Sequence, residues 1–116
     1  MSIFPQLRMR RSRQHDWSRR LTQENKLSAD DLIWTTILSD GKAARDPVQS
    51  MPGVERFNIE TLVDEAARAA ALGIPAIAIF PHIDPKFKDN DGSEALNPSG
   101  IVPEAVRAVK AAVPGI

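Results

Sequence analysis

Two runs of apolar and β-branched residues, each ending at turn residues or a proline, most constrain what this chain can fold into. Residues 32–38 are rich in β-branched and apolar side chains and end at Ser39-Asp40-Gly41. Residues 76–80 form a second uninterrupted apolar run. Runs of this length are typical of strands covered on both faces, as in a parallel sheet with crossover helices. They therefore predict an α/β fold.

One helix is predicted between the two strands and another after the second strand. Apolar residues recur at helical spacing over residues 59–72, with Asn58 in the capping position and a glycine at the end. On the polar face of this helix we expect an ion pair between Asp64 and Arg68, four positions apart. The second helix takes Pro103 in its first turn. This order builds either a doubly wound sheet or an eight-stranded barrel, and periodicity does not choose between them.

The remaining segments are predicted to be irregular. Residues 42–57 contain two prolines and a glycine, and residues 81–99 form a polar connection long enough to have a functional or oligomeric role. A third apolar segment begins at Gly115-Ile116. Because two strand-helix units leave much of their apolar surface without a partner, we expect the chain to be the front of a larger protein.

Residues 1–27 are predicted to form an extended arm, and residues 28–116 the first part of the folded domain. Fifteen basic and fifteen acidic residues cancel, but six arginines between positions 8 and 20 accompany a single acid, Asp16. Arginines in such an arm bind either carboxylates of a neighbouring subunit or nucleic-acid phosphates. We favour the neighbouring subunit, because the rest of the chain adds no second basic surface. The predicted oligomer contacts are Arg8, Arg10, Arg11 and Arg13.

Few residues in the sequence suggest chemistry. His82 and Asp84 follow the second strand, on the side where α/β proteins place their sites, but one imidazole and one carboxylate also fit a solvated loop. The acidic segment 89–94 lacks the spacing of a calcium loop, and no phosphate-binding glycine motif or nucleophile elbow occurs. None of the five lysines lies in an apolar run. We therefore predict no catalytic, cofactor-binding or metal-ligating residue.

Two absences bear on the expected environment of the chain. There is no cysteine, which excludes disulfides and thiolate metal ligands within these residues. The first residues, Met1-Ser2-Ile3-Phe4-Pro5, lack the apolar run of a secretory signal, and no stretch approaches the roughly 20 apolar residues of a membrane span. We expect a cytoplasmic protein without a membrane partner.

Several short motifs, in this order, resemble the porphobilinogen synthase family, also called δ-aminolevulinic acid dehydratase. The resemblance extends from about position 8 to position 116. It is carried by Arg8-Met9-Arg10-Arg11, Leu27-Ser28-Ala29-Asp30-Asp31-Leu32-Ile33, Ser50-Met51-Pro52-Gly53-Val54, Leu72-Gly73-Ile74-Pro75-Ala76, Phe80-Pro81, Gly92-Ser93-Glu94-Ala95, Asn97-Pro98 and Gly100-Ile101-Val102. Each motif alone is weak, whereas the ordered set is specific.

The resemblance implies the N-terminal arm and the first two units of a (β/α)8 barrel. It also implies a homo-oligomer, usually an octamer in which arms wrap neighbouring subunits. The family's hydro-lyase reaction condenses two 5-aminolevulinate molecules into porphobilinogen, on the route to haem, with magnesium or zinc as the metal. Its two Schiff-base lysines and its metal segment lie later in the barrel, so the isolated chain is predicted to be inactive. A non-catalytic, arm-bearing oligomerisation module and, more distantly, a nucleic-acid-binding protein are the alternatives.

Overall fold

The computed structural model describes residues 3–8 and 10–116, which contain three α-helices and four strands. Met9 of the arginine-rich motif lies outside the described residues, as do Met1 and Ser2. The elements are α1 (Asp16–Thr22), β1 (Ile33–Ser39), β2 (Arg45–Pro47), β3 (Glu55–Phe57), α2 (Ile59–Ala71), β4 (Ala76–His82) and α3 (Ile101–Ala112).

The strands form one mixed sheet in the order β2-β3-β1-β4. β1 and β4 run parallel over seven residue pairs, from Ile33 opposite Ala76 to Ser39 opposite His82. β3 pairs with the other edge of β1 in parallel, but only at Ile37 and Leu38. β2 is antiparallel to β3. The predicted α/β class is confirmed, and a βαβ unit of β1, α2 and β4 forms its centre.

The prediction of an irregular segment over residues 42–57 is wrong in part, because β2 and β3 form a short hairpin there. Each strand has three residues, too few for an alternating pattern to show in the sequence. Pro47 is tolerated because β2 lies at the edge of the sheet. The hairpin is joined by ion pairs across it, Arg45–Glu55 at 2.8 Å and Arg56–Asp46 at 2.7 Å.

The predicted helix over residues 59–72 corresponds to α2 within one residue, and Pro103 lies in the first turn of α3 as expected. The side chain of Asn58 caps α2 by accepting the N–H of Thr61 at 2.9 Å. Gly73 follows α2 with φ of +82°, a conformation that favours glycine over any residue with a Cβ. Ile116, expected to begin a third strand, lies in no strand here and packs against the core.

The core lies on one face of the sheet. It consists of Leu38, Phe57, Leu62, Ala66, Ala105 and Val109, so the helices α2 and α3 cover that face. Side chains alternate along a strand, and the opposite face carries Ile33 and Phe80, which are 65% and 57% exposed. The sheet is therefore buried on one side and open on the other.

A cluster of charged residues connects the β2–β3 hairpin to α2 through ion pairs. Arg45 pairs with Glu55 on β3 and with Glu65 on α2, and its guanidinium lies 5.1 Å from the ring centroid of Phe57. The expected Asp64–Arg68 pair does not form. Arg68 instead contacts Glu65 at 2.9 Å, because Glu65 already faces Arg45 and joins both guanidinium groups.

This cluster predicts a pH-dependent contribution to stability. The hydrogen bond from Arg45 lowers the pKa of the Glu65 carboxyl, and Arg68 adds to the shift while desolvation opposes it. The ionised carboxylate therefore stabilises the fold above its ordinary pKa of 4.5, and that contribution is lost as the pH falls through the lower pKa of the folded state. We expect Glu65→Gln to lower the free energy of unfolding at pH 7 by at most about 1 kcal/mol, and the difference to shrink below about pH 4.5.

Urea unfolding of both proteins at pH 7 and at pH 3.5 measures the effect. Asp64→Asn, an exposed carboxylate on the same helix that forms no ion pair within the described residues, is the matched control. A Glu65→Gln difference that stays constant between the two pH values would contradict the assignment.

The helix α1 of the predicted arm packs mainly on the short 3₁₀ turn Arg11–Arg13, and the described residues extend over 66 × 32 × 26 Å. The arm is not extended throughout, because α1 interrupts it. Trp17 and Leu21 on this helix are 62% and 78% exposed. Seven residues are too few to show a helical period, which explains why the sequence did not reveal α1. None of the helices in residues 3–8 and 10–116 is long and apolar enough to cross a membrane.

Candidate functional site

The carboxyl ends of β1 and β4 meet at one edge of the sheet. Ser39 and His82 are the last paired residues of the two strands. Beyond them, the Asp40 carboxylate accepts the N–H of Asp84 at 3.1 Å and thereby joins the two loops that follow. Ligands of parallel α/β proteins bind at this edge, so these loops define the candidate site.

His82 and Asp84, singled out from the sequence, do not form a pair. The Asp84 carboxylate accepts the N–H of Lys86 at 3.0 Å and contacts its ammonium group at 3.0 Å. These bonds, the backbone one foremost, lower the pKa of Asp84. Within residues 3–8 and 10–116, the His82 imidazole makes no hydrogen bond or ion pair, and the side chain is exposed. Asp84 therefore organises its own loop, while the imidazole remains available.

An open cleft of about 580 Å³ lies behind this edge, between the starts of α2 and α3. The charged residues that line it are all acids: Asp40, Glu60, Glu94 and Glu104. The sequence did not reveal this cleft, because its residues come from four separate segments. The only indication of the cleft in the sequence was an acid in the first turn of each helix, Glu60 and Glu104. Such acids ordinarily complement the helix dipole, so they do not by themselves indicate a cleft.

Glu94 shapes the start of α3. Its carboxylate accepts the side-chain amide of Asn97 at 3.2 Å, and it lies against Gly100, which precedes the helix. A smaller apolar cavity of about 330 Å³ borders the same segment, with Pro81 and Ile83 from β4 and its loop facing Ile101 and Val102 of α3. These contacts fix the long loop after β4 against the third helix.

The acidic segment after β4 uses its carboxylates for its own backbone. Asp89 accepts the N–H groups of Asp91 at 3.1 Å and of Ser93 at 3.0 Å, and the Ser93 bond is the main cause of its lowered pKa. The described part of the chain contains no group of three or more histidine, aspartate or glutamate side chains placed to hold a metal. The residues present therefore do not fit the metal that the family resemblance implies.

The four arm arginines are displayed on the surface. Arg8 stacks over Phe4, with its guanidinium 5.7 Å from the ring centroid. A short 3₁₀ turn begins at Arg11 and ends at Arg13, and Arg10 precedes it. No residue of this turn is buried. Among the residues that the structure describes, none of the four forms an ion pair with a carboxylate. Within that part of the chain, their charges are therefore available to another molecule.

Comparison with known proteins gives one consistent family. The family model described as delta-aminolevulinic acid dehydratase matches residues 6–116. Proteins of that name from Bradyrhizobium diazoefficiens and a Synechocystis species are 50% identical over 110 residues and 44% identical over 114 residues. The chain is covered to 95% and 98% in these matches, which take in 31% and 34% of the relatives.

A solved structure has the same fold over the same residues. It is the delta-aminolevulinic acid dehydratase (porphobilinogen synthase) of Toxoplasma gondii, in complex with the reaction product porphobilinogen. It superposes with a TM-score of 0.83 at 35% identity, covering 95% of this chain and 31% of that one. The chain thus spans about a third of the length of the relatives that it matches.

Proposed function

Because the chain belongs to the delta-aminolevulinic acid dehydratase family, we propose that it contributes the arm and the first two β/α units of an enzyme that condenses two 5-aminolevulinate molecules into porphobilinogen. The family match over residues 6–116 is the observation that carries this proposal. The alternative of a purely non-catalytic module has no comparable observation in its favour.

The open sheet supports a (β/α)8 barrel in the complete enzyme. In such a barrel the helices cover the outside of the sheet and its other face is filled by inward-pointing side chains. Here α2 and α3 cover one face only, and Ile33, Ile37 and Phe80 point to the other. In addition, β3 pairs with β1 only at positions 37 and 38, which leaves residues 33–36 without a strand on that edge. Both features suit a sheet that continues and closes.

The lysines of this chain are unsuited to Schiff-base chemistry. All five are exposed, and Lys86 is paired with Asp84. A lysine becomes nucleophilic near neutral pH when desolvation or a neighbouring cation lowers its pKa. We therefore assign amine catalysis to lysines outside these 116 residues. We also assign the divalent metal to that later part of the enzyme. For the complete enzyme we propose a cytoplasmic location.

A graft tests the proposed function. The matching 110-residue stretch of the Bradyrhizobium enzyme is replaced with the corresponding residues of this chain, and porphobilinogen formation from 5-aminolevulinate is measured. We expect an active graft, because the two sequences are 50% identical over that stretch. The isolated 116-residue chain should give no product above a no-protein control, since its lysines are exposed. A folded but inactive graft would contradict the proposal.

We further propose that the arm binds a neighbouring subunit. The proposal is supported by the four predicted contact arginines, which form no ion pair among the described residues, and by the exposed Trp17 and Leu21 of α1. Replacing Arg8, Arg10, Arg11 and Arg13 with glutamine in the graft should lower its oligomeric state while leaving its circular dichroism unchanged. Arg107→Gln together with Lys110→Gln, two basic residues on α3, is the control. Sedimentation velocity measures the assembly. An unchanged assembly combined with steeply salt-dependent oligonucleotide binding would favour the nucleic-acid alternative instead.

A further inference from the structure

The alternation of side chains along β4 places His82 on the open face of the sheet. Ile77 and Ile79 pack against the core under the helices, and Pro81 lines a cavity with residues of α3. Successive strand residues point to opposite faces, so Phe80 and His82 point away from the helices. Phe80 is 57% exposed, which agrees with this orientation.

His82 is the one ionisable side chain that the paired segments of β1 and β4 carry on this face. The other residues there are apolar or bear hydroxyl groups: Ile33, Thr35, Ile37, Ser39, Ala76, Ala78 and Phe80. His82 also stands at the carboxyl end of its strand, where parallel α/β proteins place their ligands. An imidazole donates a hydrogen bond in both its neutral and its protonated form.

The carboxylates that follow the ends of β1 and β4, Asp40 and Asp84, do not pair with the His82 imidazole. Asp84 binds the backbone and ammonium group of Lys86, and Asp40 accepts the N–H of Asp84. The imidazole of His82 forms no hydrogen bond within residues 3–8 and 10–116, whereas its backbone belongs to the ladder with β1. A side-chain donor left free at the mouth of a face with no other ionisable group is suited to an anionic group of a small ligand.

We propose that His82 is a substrate-binding residue, which donates a hydrogen bond to a carboxylate of 5-aminolevulinate at the mouth of the completed barrel. The inference rests on the proposed function and adds to it a contact from the second strand unit. It assigns binding, and not proton transfer, to the imidazole.

The test uses the active graft and three variants. His82→Leu removes the hydrogen bond and should raise KM for 5-aminolevulinate about two- to tenfold, the range that one hydrogen bond is worth, with kcat within about twofold of the parent. His82→Gln keeps an N–H donor and should retain most of the affinity. His15→Leu, which changes the only other histidine of the chain, is the matched control and should leave KM unchanged.

The outcomes separate the two proposals. An active graft in which His82→Leu and His15→Leu have the same KM overturns the role of His82 and leaves the proposed function intact. A loss of kcat at constant KM also overturns it, because binding is then not what His82 supplies. An inactive but folded graft overturns both. Equal sedimentation and melting temperature of all variants show that the KM effect is local and not a consequence of misfolding.

Discussion

Leu38→Ala is expected to lower the free energy of unfolding by about 3 kcal/mol. Leu38 is fully buried near the carboxyl end of β1, in the core between the sheet and the helices α2 and α3. Truncation of Leu38 removes apolar surface from the core and leaves a cavity. The backbone of β1 cannot move in to close this cavity, because β1 is paired with β3 on one side and with β4 on the other at this position. A loss of this size is a large part of the stability of an ordinary small domain.

Urea unfolding followed by circular dichroism measures the effect. The control is Leu96→Ala, the same substitution at a leucine that is 84% exposed, which should change stability by less than about 0.5 kcal/mol. Similar losses for the two variants would show that the face under the helices is not the core of this protein.

Gly100→Ala is expected to destabilise the protein by about 1–3 kcal/mol. A Cβ at this position would lie 2.9 Å from a carboxylate oxygen of Glu94 and 3.1 Å from the carbonyl oxygen of Asn97. The glutamate side chain can move aside, but the Asn97 carbonyl accepts the N–H of Gly100 at 3.0 Å, so a shift of this carbonyl strains the turn that leads into α3. Glycine is also preferred over alanine at the residue that precedes a helix.

Gly115→Ala is the matched control, because no atom lies within 4 Å of the added methyl group. Adding Glu94→Ala to Gly100→Ala should restore only part of the lost stability, since the contact with Asn97 remains. Thermal and urea unfolding of the parent, Gly100→Ala, Glu94→Ala, the double variant and Gly115→Ala measure this coupling. Full restoration in the double variant would place the whole conflict on the glutamate side chain and contradict the role of the carbonyl.

The family assignment and the main elements were accessible from the sequence. The apolar runs predicted β1 and β4, and the helical spacing together with Asn58 predicted α2, because these patterns and caps depend on residues close together in the chain. The ordered motifs identified the family, and the comparisons confirm it over residues 6–116. The α/β class follows from the same local patterns.

The sequence did not reveal features that depend on distant partners. The β2–β3 hairpin is stabilised by its position beside β1 and by the two ion pairs of Arg45. One partner, Glu55, lies in the hairpin, and the other, Glu65, lies on α2. Arg68 pairs with Glu65 and not with Asp64 for the same reason, since the Arg45 side chain fixes where the shared carboxylate lies.

The candidate site was decided by the tertiary structure. From the sequence, His82 and Asp84 were two neighbouring polar residues with no distinguishable roles. The register of β4 against β1 turns His82 to the open face. Asp84 is bonded within the loops, because its N–H donates to Asp40 and its carboxylate pairs with Lys86. Local pattern thus determined which segments become strands and helices. Strand register and contacts between distant loops determined which side chains are free to bind a ligand, because only the folded chain specifies the partners that a polar group can reach.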